Sequence, residues 1–283
     1  MGEQAFFQRW YRDSGTSDAK RKLVKRLVAN GQLIFVDGGW SQHDSGATHY
    51  STMLDQTTFG QAFLQTQFGR APRIGWHLDP FGHTATQGAL LCAEVGFDAF
   101  FFGRIDYQDR DARRARGDME MIWRPSPSLG VELLAGALPV GTYCPPPGWN
   151  FGDEQTPVMD DPLLAELNVG AVVERFVADM TEYASYVRGT DVMVLMGCDY
   201  AYTNAAVWYN NLDRLIRAVN KDGRMRARYS DPETYIDAKH SSSPNLTFAV
   251  LEHDDFIPIS QVTLASTPSR IPILNPDQSP CHH

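Results

Sequence analysis

The fold is best predicted from Arg73-Ile74-Gly75-Trp76-His77-Leu78-Asp79-Pro80-Phe81-Gly82-His83. Residues 73–78 form a short apolar run that predicts a buried strand, and an acid, Asp79, follows it directly. A helical pattern over residues 84–95 comes next. Together they make one β/α unit, and similar units recur along the chain. The sequence therefore predicts an α/β fold built on a parallel sheet or barrel.

Short apolar runs separated by amphipathic helices continue on both sides of this unit. Further strands are predicted at residues 33–36, 99–102, 119–123, 192–196, 226–229 and 247–251. Further helices are predicted at residues 18–29, 51–68, 171–187 and 205–219. Residues 140–161 are rich in Pro and Gly, which is typical of a long loop. No repeat and no linker divides the chain, so we expect one domain.

Composition excludes several classes of protein. The chain has 283 residues, of which 43% are hydrophobic, enough for one large buried core. Its net charge of −9 argues against nucleic-acid binding and fits a soluble enzyme that acts on neutral substrates. No apolar run approaches the ~20 residues of a membrane span, and no signal peptide is expected in this chain. Its widely spaced cysteines neither require nor exclude an oxidising compartment: Cys92, Cys144, Cys198 and Cys281.

Acidic residues follow several of the predicted strands: Asp37, Asp79, Asp106, Asp199 and Glu252. Because the carboxyl ends of parallel strands meet at one edge of a sheet, distant acids are brought together there. Two carboxylates at such an edge suit glycoside hydrolysis, in which one attacks the anomeric carbon or directs water and the other protonates the leaving oxygen. Nearby aromatic side chains would cover the apolar face of a sugar ring: Trp76, Phe81 and Tyr107.

Each of these residues also has an interpretation without a catalytic role. An Asp between a strand and a helix often caps the helix, which applies to Asp199 and, less well, to Asp79. Arg104 could pair with any surface acid. Three histidines close to acids suggest a metal site, but they lack the spacing of two ligands on one helix face: His77, His83 and His253.

The residue motifs in these stretches resemble those of one known family. Residues 75–84 resemble the nucleophile motif of the class II α-mannosidases, glycoside hydrolase family 38, and most closely its lysosomal-type branch. Further matching blocks lie at residues 37–40, 47–50, 55–56, 96–109, 196–200 and 253–256. They occur in the family's order, and the similarity runs from near residue 5 to about residue 257.

The resemblance implies a retaining α-mannosidase, which hydrolyses terminal α-mannosides of N-glycans and oligosaccharides through a mannosyl-enzyme intermediate. It implies that Asp79 is the nucleophile and a zinc ligand, and that Asp199 is the general acid and base. It places Phe81, Arg104 and Tyr107 at the substrate. The implied fold is a distorted parallel β/α barrel of the seven-stranded type. The implied cofactor is Zn²⁺, and the implied compartment is the lysosome, the vacuole or the secretory pathway.

The chain departs from the family pattern in its metal ligands. The family's His-x-Asp pair would precede residue 1, and a further histidine ligand would lie beyond residue 257; neither is found here. Asp79 is then the only expected ligand present, so weak or absent zinc binding and low activity are expected of this chain. We therefore expect a truncated catalytic domain over residues 1–258, with its first strand missing and one sheet edge unpaired, and a divergent, disordered tail over 259–283.

Two other functions stay open on the sequence. The chain could be a non-catalytic relative that binds glycans or a partner subunit, in which case an Asp79→Asn variant would behave as the parent chain does. A zinc-dependent polysaccharide deacetylase barrel would need an Asp with two close histidines at helical spacing, and the sequence shows no such group. The expected partners are α-mannoside glycans, with no nucleic acid and no membrane span.

Overall fold

The computed structural model describes residues 2–140, 143–152, 156–242 and 246–256, so the predicted tail over 259–283 lies outside the described residues. Its centre is a five-stranded sheet of order β1-β2-β4-β3-β5. The strands are β1 (Ile74–His77), β2 (Ala99–Phe102), β3 (Glu120–Ser126), β4 (Val131–Ala137) and β5 (Ala249–Glu252). Three pairings are parallel, whereas β3 and β4 form an antiparallel hairpin. The predicted α/β class is confirmed, and the sheet is mostly parallel.

The described residues also form eight α-helices. They are α1 (Gln4–Arg12), α2 (Asp18–Ala29), α3 (Tyr50–Phe68), α4 (Ala85–Leu90), α5 (Tyr107–Arg116), α6 (Val169–Ala184), α7 (Ala205–Asp222) and α8 (Pro232–Ser242). Helix α4 continues into a π-helical turn (Leu91–Val95), and a 3₁₀ helix (Ala201–Asn204) precedes α7. None of these helices is both long and apolar enough to cross a membrane.

Three of the predicted strands do not form, at residues 33–36, 192–196 and 226–229. Apolar side chains in all three runs pack into hydrophobic clusters, and Phe35 of the first run packs with residues of α1, α2 and α3. Val194, Met196 and Ala227 contact a hydrophobic cluster that includes residues of α6 and α7. Burial alone therefore accounts for the apolar residues in these runs, and a strand is not needed to explain them.

The sheet contains one strand, β4, that the apolar pattern does not predict. Pairing with β2 on one side and β3 on the other holds it in the sheet, although its Leu, Ala and Gly residues do not favour a strand by themselves. Because β3 runs against β4, β5 runs opposite to β1, β2 and β4. The predicted parallel sheet is therefore found only in part, and only β1, β2 and β4 have their carboxyl ends at the edge that Asp79 follows.

The outer edge of β1 is bonded to a preceding segment. Asp37 N donates to Ile74 O (2.7 Å), Trp76 N donates to Asp37 Oδ1 (3.2 Å), and Gln42 Nε2 donates to Trp76 O (2.5 Å). Asp37 has a φ of 59°, which is uncommon for a residue other than glycine, and both its main chain and its side chain bond the strand. The expectation of an unpaired edge is therefore wrong for β1, because an irregular segment satisfies these groups.

A buried polar cluster lies behind the end of β1. His77 Nδ1 accepts a hydrogen bond from Gln87 Nε2 (3.0 Å), and His77 Nε2 lies 3.0 Å from Asp37 Oδ1. The ring of His43 packs edge-on against the ring of His77, with 4.8 Å between their centroids. The cluster therefore fixes the last residue of β1 from two sides, just before Asp79.

Burial keeps His43 and the nearby His83 neutral. Burial and, to a lesser extent, the neighbouring His77 lower the pKa of His43 to about 4 and the pKa of His83 to about 3. His83 donates from Nε2 to the carbonyl oxygen of Arg104 (3.2 Å), because a carbonyl oxygen can only accept. The loop after β1 is thereby bonded to the residues that follow β2.

A buried ion pair fastens α8 to the sheet. Lys239 Nζ lies 3.0 Å from Glu120 Oε2 at the start of β3, and both side chains are almost fully buried. Tyr235 donates its hydroxyl to the same carboxylate, and Lys239 also donates to the carbonyl oxygen of Arg188. Burial raises the pKa of Glu120, and the Lys239 cation opposes this effect. Each charge therefore needs its partner in order to remain in the interior.

Replacing Lys239 with methionine should lower the free energy of unfolding by about 3–5 kcal/mol, because Glu120 would stay buried without its cation. Urea unfolding near neutral pH measures this change. A Glu120→Gln/Lys239→Met double variant should recover part of the loss, since it leaves no buried charge unpaired. Equal losses in the single and double variants would contradict a buried ion pair.

Acid should destabilise the protein through His43 and His83. Their folded-state pKa values lie below the ordinary 6.5, so the unfolded chain binds more protons as the pH falls below 6.5. The stabilisation is complete above that pH, and at most about 3 kcal/mol per histidine should be lost by pH 4.

Urea unfolding at several pH values tests this prediction. The free energy of unfolding should depend less on pH in His43→Gln and His83→Gln than in His240→Gln, which alters an exposed histidine of α8. The same pH dependence in all three variants would show that neither buried ring is held neutral.

Candidate active site

The loop after β1 carries Asp79 to the edge of the sheet. This residue lies just beyond His77, the last residue of β1, and its side chain is 62% exposed. It does not cap the next helix, because Thr84 is the N-cap of α4 and accepts a hydrogen bond from Gln87 N (3.1 Å). The capping interpretation of Asp79 is therefore wrong, and its carboxylate is available at the surface.

Arg104 binds this carboxylate from the residues that follow β2. Its Nε donates to Asp79 Oδ1 (3.0 Å), and its Nη2 donates to the same oxygen. In the part of the chain that the structure describes, no donor bonds Asp79 Oδ2. The Arg104 side chain is only 13% exposed, so a fixed cation holds one carboxylate oxygen and leaves the other free.

Asp199 is connected to the same arginine through a tyrosine. Tyr143 donates its hydroxyl to Asp199 Oδ2 (3.2 Å), and the guanidinium carbon of Arg104 lies 5.8 Å from the centre of the Tyr143 ring. Asp199 is exposed and caps neither of the helices that follow it, whose N-caps are Tyr200 and Asn204. The capping interpretation is therefore wrong for this residue too.

Four residues thus form one connected group at this edge, here called the site network: Asp79, Arg104, Tyr143 and Asp199. Burial raises the pKa of the Tyr143 hydroxyl, and the charges of Asp79 and Asp199 raise it further, whereas Arg104 acts in the opposite direction. The hydroxyl therefore lies within electrostatic reach of both carboxylates. Two exposed carboxylates on one edge are the groups that glycoside hydrolysis by paired acids needs.

A disulfide adjoins the site network. It joins Cys144, which follows Tyr143, to Cys198, which precedes Asp199, and their Cα atoms are 4.5 Å apart. Sequence reasoning does not identify Tyr143 or this pairing, because the two cysteines are 54 positions apart. The one available signal is that each cysteine adjoins a residue suited to a polar site.

Two aromatic residues predicted to bind the sugar are exposed but make no described contact with the network carboxylates. Phe81 is 37% exposed on the loop after Asp79, and Tyr107 is 48% exposed at the start of α5. The Tyr107 hydroxyl accepts a hydrogen bond from Gln108 Nε2 (3.0 Å). The structure therefore leaves both rings accessible, and their role stays a prediction.

The motif after β5 packs against the loop that carries Asp79. Main-chain hydrogen bonds join Phe256 and His83 in both directions (2.9 and 3.2 Å), and Asp255 Oδ1 accepts a hydrogen bond from Ala85 N (2.6 Å). The buried ring of Phe256 contacts the ring of Phe102 at the end of β2. Although β5 runs in the opposite direction, the residues after it therefore return to this edge.

The described residues do not form a zinc site on their own. They contain no group of three or more His, Cys, Asp and Glu side chains able to hold a metal ion, whereas zinc is held by several such ligands. The nearby histidines have other partners, since His77 faces Asp37 and His83 bonds the main chain of Arg104. Asp79 alone would offer a single carboxylate.

The sequence matches one family of enzymes over almost its whole length. The family model described as "Glycosyl hydrolases family 38 N-terminal domain" matches residues 1–261. An alpha-mannosidase of Arabidopsis thaliana is 46% identical over 260 residues, which is 90% of this chain and 25% of that protein. The alpha-mannosidase of Canavalia ensiformis is 45% identical over 262 residues, which is 91% of this chain and 26% of that protein.

A lysosomal alpha-mannosidase of Homo sapiens is 41% identical over 267 residues, which is 90% of this chain and 26% of that protein. The chain therefore spans about a quarter of the length of these curated relatives. The fold resembles the crystal structure of an alpha-mannosidase from Enterococcus faecalis, with a TM-score of 0.55 and 15% identity over 84% of this chain and 24% of that chain. By its sequence match over residues 1–261, the chain belongs to the glycosyl hydrolases of family 38.

Proposed function

We propose that this chain carries the two catalytic carboxylates of a retaining α-mannosidase acting on terminal α-mannosides of N-glycans and oligosaccharides. The observation that carries the proposal is the site network, in which Arg104 and Tyr143 connect Asp79 to Asp199 at one exposed edge. The names of the relatives supply the substrate class, because they are alpha-mannosidases. Phe81 and Tyr107 would cover the apolar face of the mannose ring.

In the first half of the proposed reaction, Asp79 Oδ2 attacks the anomeric carbon while the bond to the leaving oxygen breaks. Asp199 donates its proton to that oxygen, so the leaving group departs as an alcohol and a mannosyl ester of Asp79 remains. Arg104 supports this step by holding Oδ1, which leaves Oδ2 as the free oxygen. Tyr143 limits the rotation of Asp199 through its hydrogen bond.

In the second half, water attacks the anomeric carbon of the ester on the side that the leaving group has vacated. Asp199 accepts a proton from this water, and the bond between the sugar and Asp79 breaks. Mannose leaves with its original anomeric configuration, because two inversions have occurred. Asp79 returns to a free carboxylate, and Asp199 is protonated again for the next cycle.

Three further features belong to the same proposal. The five-stranded sheet would be part of the distorted parallel β/α barrel of the family. Zn²⁺ would use Asp79 as one ligand, but the described residues do not supply the others, so no step is assigned to it and low turnover is expected of this chain. The compartment would be the lysosome, the vacuole or the secretory pathway, which the lysosomal relatives and the Cys144–Cys198 disulfide support.

A fluorinated α-mannosyl fluoride, which forms the ester faster than water removes it, should label Asp79 covalently. Intact-mass analysis and peptide mapping would locate the added sugar, with and without zinc. The Asp79→Asn variant should take up no label, whereas Glu166→Gln, which alters an exposed acid on a loop, should be labelled as the parent is. Labelling on another residue would contradict Asp79 as the nucleophile, whereas no label on either the parent or Asp79→Asn would favour the non-catalytic glycan- or subunit-binding relative.

Aryl α-mannosides of different leaving-group acidity should separate the roles of the two acids. Asp199→Asn should slow hydrolysis by about 10²–10⁴-fold when the leaving group is a poor one that needs a proton. It should slow the first step much less when the leaving group is strongly acidic. Asp79→Asn should slow both substrates, and the reverse pattern would contradict the assignment.

A further inference from the structure

The Cys144–Cys198 disulfide lies where it acts directly on the geometry of the site network. Each cysteine is the immediate chain neighbour of a network residue, Tyr143 in one case and Asp199 in the other. The Cα atoms of the cysteines are 4.5 Å apart, so the two main chains run close together beside the hydrogen bond from Tyr143 to Asp199 (3.2 Å). A covalent bond and a hydrogen bond therefore join the same two segments.

Regular secondary structure does not hold these two segments together. Residues 143–152 and residues 191–200 contain no helix and no strand. The segment that carries Asp199 is bonded mainly to its own continuation, since Tyr202 donates its hydroxyl to Met196 O (2.6 Å) and Ala201 N donates to Cys198 O (3.1 Å). The disulfide is thus the strongest described connection between Asp199 and the Tyr143 segment.

We propose that Cys144 and Cys198 are positioning residues, whose disulfide holds the Tyr143 hydroxyl on Asp199 and so keeps the candidate acid facing Asp79. Its consequence for catalysis rests on the proposed function, whereas its consequence for Tyr143 does not. A disulfide that only stabilised the fold would change the melting temperature and leave the surroundings of Tyr143 unchanged when the protein stays folded.

Reduction breaks the S–S bond and forms two thiols, with two electrons and two protons supplied by a dithiol that becomes a disulfide itself. The Tyr143 segment is then held to Asp199 by one exposed hydrogen bond, which water can replace. The phenol should move away from the carboxylates, and the part of its raised pKa that comes from Asp79 and Asp199 should be lost. The Asp199 carboxyl would rotate more freely.

The remaining cysteines provide the matched control. Cys92 is a free, partly buried thiol on the π-helical turn, where it donates to Glu132 O (3.3 Å), and Cys281 lies outside the described residues. A Cys92→Ser/Cys281→Ser form should keep the disulfide and behave as the parent does. Any effect of a dithiol on this form then comes from Cys144 and Cys198.

The first test measures the Tyr143 titration by NMR of ¹³C-labelled tyrosine, with Tyr143→Phe identifying the signal. Peptide mapping without reductant should first recover Cys144 linked to Cys198. Mild reduction, or Cys144→Ser/Cys198→Ser, should then lower the pKa of Tyr143 toward its ordinary value, while circular dichroism shows that the fold is kept. An unchanged Tyr143 titration in the folded, reduced protein would overturn the proposal.

The second test follows hydrolysis of aryl α-mannosides with poor and good leaving groups. In kcat/KM, which reports the first step, reduction should slow the poor substrate on the order of 10²-fold more than the good one, because in that step a displaced acid matters only where the leaving oxygen needs a proton. In the Asp199→Asn background, reduction should have no further differential effect. Equal slowing of both substrates would overturn the positioning role.

The two tests separate this proposal from the proposed function. If reduction changes the Tyr143 titration but neither Asp79→Asn nor Asp199→Asn alters hydrolysis, the positioning of Tyr143 stands and the proposed function fails. If both carboxylates are needed but reduction changes neither the titration nor the rates, the disulfide proposal alone fails.

Discussion

The ion pair between Arg104 and Asp79 is the interaction on which the candidate site depends. It joins the residues after β1 to the residues after β2, and the same guanidinium lies over the Tyr143 ring that bonds Asp199. An ion pair with so exposed a carboxylate contributes at most about 1 kcal/mol to stability. The pair therefore contributes mainly to orientation, because it fixes Asp79 Oδ1 while no described donor bonds Oδ2.

The interior supports this exposed pair from behind. His83 bonds the main chain of Arg104, and the His83 ring packs against Phe102 with 4.5 Å between centroids. Phe256 packs against the same Phe102, so the chain after β5 closes the hydrophobic layer beneath the loop. The neutral state of His83 matters here, since a charged ring in this layer would lack water and a counter-charge. This buried apolar layer thus supports the polar, accessible edge of the sheet where the site network lies.

The sequence predicts the parts of this structure that are set by local pattern and motif. The β1 strand and the loop with Asp79 follow from a short apolar run with an acid directly after it, and the position of Arg104 near the site follows from the family resemblance. The apolar runs at 192–196 and 226–229 are wrongly predicted as strands, because an apolar pattern indicates burial and does not indicate which main-chain groups bond each other. Strand β4 is missed because its pairing on both sides, rather than its residues, determines its structure.

The site network is only partly predictable for a related reason. Asp79 and Asp199 can be named from the sequence, but the tyrosine that connects Asp199 to Arg104 lies in a Pro- and Gly-rich stretch whose sequence has no periodic pattern. Tyr143 is placed by contacts with residues far away in the chain, and so is the disulfide beside it. Long-range pairing of this kind leaves no signal in a single sequence except the identity of the residues themselves.

Asp79 and Asp199 are proposed to act on one sugar from opposite ends of the site network. A crystal structure with a mannose-configured inhibitor bound tests this proposal most directly, through the distance between the two carboxyl groups. We expect about 5–5.5 Å, the separation of a retaining glycosidase, with the anomeric carbon between them. A separation of about 6.5–9.5 Å would indicate an inverting reaction, and an inhibitor that touches only one of the carboxylates would show that the two do not act on one sugar.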